Sequence, residues 1–144
     1  MAPNTVGQRH IIGQTVAAGY EIGARRTFSI SAQRAWELIT SSAGVRVWLG
    51  DVPQLLLEEG LPYETREGAS GTIRVVEPGG HLRLTWQPPD WETASTIQVR
   101  VIPKGKNATI AFHQEHLAGG QEREEMYHRW QAVLDGLEAL IEQG

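Results

Sequence analysis

Cysteine is absent from all 144 residues, so the chain can form no disulfide, thiolate zinc site or iron–sulfur cluster and has no cysteine nucleophile. A reducing cytoplasm is the setting this composition fits. Long apolar runs are also missing: no window approaches the roughly 20 apolar residues of a membrane span. The first twenty residues carry one charged side chain, Arg9, and no apolar stretch of signal-peptide length, so a soluble, unexported protein is expected. Positive charge is scarce. With 13 Lys plus Arg against 17 Asp plus Glu, the net charge of −4 gives no general attraction to phosphate backbones or anionic membranes. Nucleic acid is therefore not an expected partner. Neither the Walker pattern nor the dinucleotide fingerprint occurs, and no cofactor is expected.

What is present suits one domain with its own core, since 40% of the residues are apolar. Residues 1–19 show no sustained period and read as an arm, with a short strand near Ile11 at most. The domain proper is expected over 20–144. Tyr20 to Ile30 reads as a first strand, with Phe28 and Ile30 on one face and Thr27 and Ser29 on the other. Ser31 then caps a helix whose Ala32, Ala35, Trp36 and Ile39 follow i, i+3, i+4, i+7, and a second short helix carries Val45, Trp48 and Leu49.

Strand-like stretches separated by turn chemistry follow. Tyr63 to Glu67 is the first, and Thr72 to Val76 the second, with Ile73 and Val75 alternating with Arg74. Glu77-Pro78-Gly79-Gly80 signals a hairpin into His81 to Gln87, where Leu82, Leu84 and Trp86 share a face. Thr96 to Ile102 sets Ile97, Val99 and Val101 together, and Ala108 to Leu117 does the same with Ile110 and Phe112. Last comes a long helical stripe of Met126, Trp130, Val133, Leu134, Leu137, Leu140 and Ile141, with Glu125 and Arg129 as an i, i+4 pair on its flank. The order implies an α+β domain, a curved antiparallel meander wrapped around the last helix with two short helices after strand one. A sheet curved round a helix leaves a crevice, and the bulky residues on its inward faces and borders, Trp36 among them, make an apolar ligand pocket one reading. The same spacing fits a filled core.

The segments Arg26-Thr27-Phe28-Ser29-Ile30-Ser31-Ala32-Gln33-Arg34-Ala35-Trp36, Gly71 to Gly79 continuing through Leu82-Arg83-Leu84-Thr85-Trp86, the isolated Trp48 and the Trp130 to Leu140 helix resemble the helix-grip (Bet v 1-like, START-like) superfamily. Within it, they are similar to small bacterial proteins related to the C-terminal domain of the Hsp90 ATPase activator. The resemblance spans about Tyr20 to Ile141. It implies a cavity between sheet and C-terminal helix, used across the superfamily for apolar molecules, with Trp48, Tyr63, Ile73, Trp86, Phe112, Met126 and Trp130 as the expected ligand-binding set. An apolar or amphipathic small molecule is the first expected partner and a chaperone the second; a homodimer is compatible with the sequence. The chaperone reading ranks lower because the two-domain activator has a further N-terminal domain where this chain has residues 1–19.

Signals for catalysis are weaker, and no catalytic residue is assigned. Ser70 in Gly68-Ala69-Ser70-Gly71 lacks the spacing of a nucleophile elbow. In His113-Gln114-Glu115-His116, strand alternation puts His113 with Glu115 on one side and His116 with Phe112 and Gln114 on the other, which disfavours a metal site; none is expected. An imidazole reaching the pocket, with Glu115 or Arg74 as polar partner, is the alternative of a cyclase-like or hydrolase-like enzyme. Arg74 and Arg100 either face water or enter the concave side. The remaining arginines Arg25, Arg26, Arg34 and Arg46 read as surface charge.

Overall fold

The computed structural model describes residues 14–15, 19–53 and 55–144. Most of the expected arm, including the strand near Ile11, lies outside the described residues. Strands β1 (Gln14–Thr15) and β2 (Gly19–Phe28) lead into helices α1 (Ala32–Thr40) and α2 (Ser42–Trp48). Then follow β3 (Pro62–Glu64), β4 (Ser70–Glu77), β5 (His81–Trp86), β6 (Ser95–Lys104), β7 (Asn107–Leu117) and the long helix α3 (Gly120–Gln143). Among the described residues the strands form one antiparallel sheet in the order β1-β2-β7-β6-β5-β4-β3. β7 returns to pair with β2, so the first and last parts of the domain close on each other. Among the described residues no helix is long and apolar enough to cross a membrane.

Alternation builds the inner face. One row crosses five strands as Ile22, Gln114, Ile97, Leu84 and Ile73, and the next runs Ala24, Phe112, Val99, Leu82 and Val76. Onto this face α3 lays the buried side chains Met126, Trp130, Val133, Leu134 and Leu137, while Leu140 and Ile141 are only partly covered near its end. Arg26 occupies an inward slot of β2 and reaches α3 instead of standing free, with Nη1 2.9 Å from Asp135 and 2.8 Å from Glu138. α1 begins as expected, with Ser31 Oγ accepting the Arg34 N–H at 3.1 Å. Ser41 ends it and caps α2, accepting the Gly44 N–H at 3.0 Å. Gly44 is required there, because a Cβ would stand 1.8 Å from the Leu38 carbonyl oxygen.

Several local expectations need correction. β2 stops at Phe28, since Ser29 and Ile30 bend into the cap of α1. Trp36 is only half-buried: Ala35 and Ile39 take the centre of the α1 stripe and the indole packs at its margin. The stretch predicted as Tyr63–Glu67 keeps strand pairing for Pro62–Glu64 alone, because Thr65 closes a tight turn with its N–H 2.8 Å from the Ala69 carbonyl. In β4 the register slips between Ile73 and Val75, leaving Arg74 as an extra, exposed residue and bringing Val76 rather than Val75 against the core. A second bulge sets Glu115 and His116 opposite Glu21, with His116 at φ 67°.

Candidate functional site

The space between the centre of the sheet and α3 is filled by rings. Phe112 stacks on Trp130 with centroids 4.6 Å apart, and Trp48 packs against Phe112 at 6.1 Å. The polar edges of these indoles are satisfied internally. Trp48 Nε1–H donates to the Ile39 carbonyl at 2.9 Å, and Trp130 Nε1–H donates to Gln114 Oε1 at 3.0 Å. Gln114 Nε2 in turn donates to Ser95 Oγ at 2.9 Å, and the Ser95 hydroxyl donates to the Trp86 carbonyl at 2.9 Å. Ile73 and Met126 are each 1% exposed and belong to the same interior.

Beside this packed centre the elements diverge. A cleft of about 420 Å³ opens where α2, the β3–β4 turn, the end of β5 and α3 meet. Its apolar walls come from Val47 of α2 and Leu49 just after it, Ala69 of the turn, Trp86 with Pro88 and Pro89, and Ala132 and Val133 of α3. Pro88 has no N–H to carry the ladder past the Gln87–Ser70 bridge, so the strand ends there and Pro88 and Pro89 join Trp86 in the wall. The polar rim consists of Arg46, Thr65, Glu67 and Arg129. Thr65 is already used, its Oγ1 accepting the Ala69 N–H at 3.1 Å. Glu67 Oε1 accepts the Asp51 N–H at 3.1 Å, and this bond, more than the nearby Arg129 charge, holds its carboxyl below the usual glutamate range.

Arg129 lies within electrostatic reach of Glu125, as their spacing implied, but its guanidinium is laid over the Trp86 ring, 5.1 Å from the centroid. Solvent reaches this cation from the open side of the cleft while protein crowds it from the other. That crowding holds its pKa below the ordinary arginine value, against the opposing pull of Glu67 and Glu125. Trp91 meets Trp86 edge-on at 5.3 Å. The buried Trp86 Nε1–H has no hydrogen-bond acceptor among the described residues.

Of the seven residues expected to bind ligand, Trp86 lines this cleft, and Trp48, Ile73, Phe112, Met126 and Trp130 form the packed interior behind it. Tyr63 borders a separate depression at the β3 edge of the sheet with Gly71 and Thr85. Its hydroxyl donates to the Thr85 carbonyl, and burial pushes the phenol pKa well up, so it is a neutral structural donor. Arg46, Glu67 and Arg129 escaped the sequence reading as site residues. A charge at an exposed position carries no mark of the crevice it borders; the one signal available was that Arg129 immediately precedes the buried Trp130.

The histidine cluster stands apart. His113 is on the sheet face opposite α3, with Nε2 2.7 Å from Glu21 Oε1 and Nδ1 3.6 Å from Glu115 Oε1. His116, expected beside Phe112 and Gln114, is turned outward by the bulge and sits with Nδ1 3.2 Å from Thr96 Oγ1. Among the described residues no group of three or more His, Asp or Glu side chains is placed to hold a metal ion. Arg100 faces outward from the same surface, Arg74 is exposed at its bulge, and Ser70 is exposed at the start of β4.

The family described as Activator of Hsp90 ATPase homolog 1-like protein matches residues 29–142. The chain belongs to this family. A comparison with curated protein sequences finds no match. Solved structures share the helix-grip fold of this family member at low identity. CalU16 from Micromonospora echinospora aligns with TM-score 0.75 and 22% identity over 89% of this chain and 78% of that one. CV1439 from Chromobacterium violaceum gives TM-score 0.70 and 21% identity over 85% and 96%. An HSP90 activator from Plasmodium falciparum gives TM-score 0.72 and 16% identity over 85% and 96%.

Proposed function

We propose that this domain binds an apolar or amphipathic small molecule in the cleft between the end of β5, α2 and α3. The observation that carries the reading is the contrast between a ring-filled interior and an adjoining cleft of about 420 Å³ whose walls are largely aliphatic and aromatic. That volume falls in the range of about 300–1,000 Å³ common for small-molecule sites. Trp86 is the wall that meets the ligand, with Trp91 packed edge-on against it.

The test is thermal unfolding of the purified protein against a panel of fatty acids, sterols and flat aromatic compounds. A ligand at 100 times its Kd stabilises by about 2.7 kcal/mol, a clear shift for a domain of this size. Ala132→Trp, a substitution at an exposed helix position on the cleft wall, is expected to preserve the fold and abolish the shift. Shifts that persist in Ala132→Trp would move the site elsewhere.

The likeness to the Plasmodium HSP90 activator favours a second reading, association with a chaperone. Purified bacterial Hsp90 distinguishes the two: the ligand-binding reading expects no change in its ATPase rate, and saturable, several-fold stimulation would put the chaperone reading first. An acid–base enzyme has less support, because no histidine is among the residues lining the cleft.

A further inference from the structure

We infer that the ligand of this cleft is a carboxylic acid on a compact apolar body, its carboxylate received by Arg129 with Arg46 as second cation. This rests on the proposed ligand-binding reading and narrows its chemistry. Three observations converge on it.

The first is the placing of Arg129. Among the described residues its guanidinium makes no hydrogen bond and no ion pair within 4.0 Å; it lies over Trp86 on the wall of the cleft. A guanidinium held over an indole with no other partner keeps its N–H fork available to a planar, two-oxygen acceptor. A carboxylate matches that fork, and the apolar body attached to it then lies along Trp86, Ala69 and Val133.

The second is the local charge. The ionisable groups lining the cleft are Arg46, Arg129 and Glu67. Arg46, exposed on α2, also makes no ion pair among the described residues, and the carboxylate of Glu67 is held by the Asp51 N–H. The lining of the cleft therefore carries one excess positive charge in a chain whose overall charge is −4, with Glu125 near Arg129 but outside the lining, and the excess stands where an apolar wall meets solvent. A neutral apolar ligand would bring that cation neither an acceptor nor a charge.

The third is the orphaned donor. Trp86, which lines the cleft, carries a buried Nε1–H with no acceptor among the described residues. An acid brings two acceptor oxygens to a cleft that holds two cations and this unpartnered N–H. An alcohol of the same shape brings one weaker acceptor and no charge.

The experiment is isothermal titration of the full chain at neutral pH with 2-naphthylacetic acid and with 2-(2-naphthyl)ethanol, a neutral partner of nearly the same shape. The acid is expected to bind about ten-fold tighter, in keeping with one charge-assisted contact. In Arg129→Gln that preference is expected to fall to about parity through loss of acid affinity alone, and Arg129→Lys, which keeps the charge without the planar fork, to retain part of it. Melting curves of both variants establish that they fold, which an exposed helix position favours. Equal affinity of the two compounds for the unmodified chain overturns the acid assignment and leaves the cleft reading standing. An acid preference undiminished in Arg129→Gln also overturns it. Failure of both compounds to bind overturns the acid assignment, and the cleft reading is then decided separately by the thermal panel and Ala132→Trp.

Discussion

Gln114 is the one polar residue in an inward row that otherwise reads Ile22, Ile97, Leu84 and Ile73, and it is 0% exposed. Burial of an amide is tolerated only when its bonds are made, and here Gln114 accepts from Trp130 and donates to Ser95. Gln114→Leu keeps the volume and orphans the Trp130 N–H, so a loss of about 1–3 kcal/mol in urea unfolding is expected; a loss under about 0.5 kcal/mol would mean that the bond contributes little. Alternation alone places Gln114 on the side of Phe112. Its partners come from elements 16 and 19 residues away in the chain, and no periodicity encodes that meeting. Glu67 makes a prediction of the opposite, exposed kind. Its folded pKa lies below the unfolded value, chiefly through the Asp51 N–H. The stabilisation is therefore present above the ordinary glutamate pKa and is lost as pH falls through the folded value. Melting temperatures of the unmodified chain and of Glu67→Gln are expected to differ at pH 7 and to converge on acidification below about pH 4. A gap that widens there would contradict the assignment.

Among the elements, α3 ties the others together, since its stripe meets the sheet, Arg26 of β2 and helix α2. Trp130 joins stacking on Phe112 to the bond with Gln114 and is 1% exposed. Trp130→Ala is accordingly expected to destabilise by about 3–5 kcal/mol, measured by chemical denaturation; a loss below about 1 kcal/mol would deny it a place in the core. Most strands and all three helices were legible from alternation and 3.6-residue periodicity, because burial on one face writes those periods directly. The misses fall at the end of β2, at Trp36, at the two bulges and at the short β3. A bulge inserts one residue without changing its type, so Arg74 and His116 carry no local sign that the phase shifts beside them. Three residues of β3 hold their pairing through Gly71, whose missing Cβ would otherwise meet the Thr85 carbonyl oxygen at 1.9 Å.

At the scale of the whole molecule, the helix-grip architecture divides its interior into a centre closed by aromatic rings and an open end bounded by four elements far apart in sequence. The family and the fold were legible before the structure; the position of the cleft was not, because it is set by how far α2 and α3 splay from the end of β5. The division supplies a direct readout, since the five tryptophans give five indole N–H signals in a two-dimensional ¹H–¹⁵N spectrum. Trp48 and Trp130 have their indole N–H groups bonded inside the core, Trp86 lines the cleft and Trp91 packs on Trp86. Titration with the compound giving the largest thermal shift is predicted to move the Trp86 signal saturably, Trp91 to a smaller extent, and Trp48 and Trp130 hardly at all. A saturable shift confined to Trp48 and Trp130, or no shift of any indole with any member of the panel, would contradict ligand binding in this cleft.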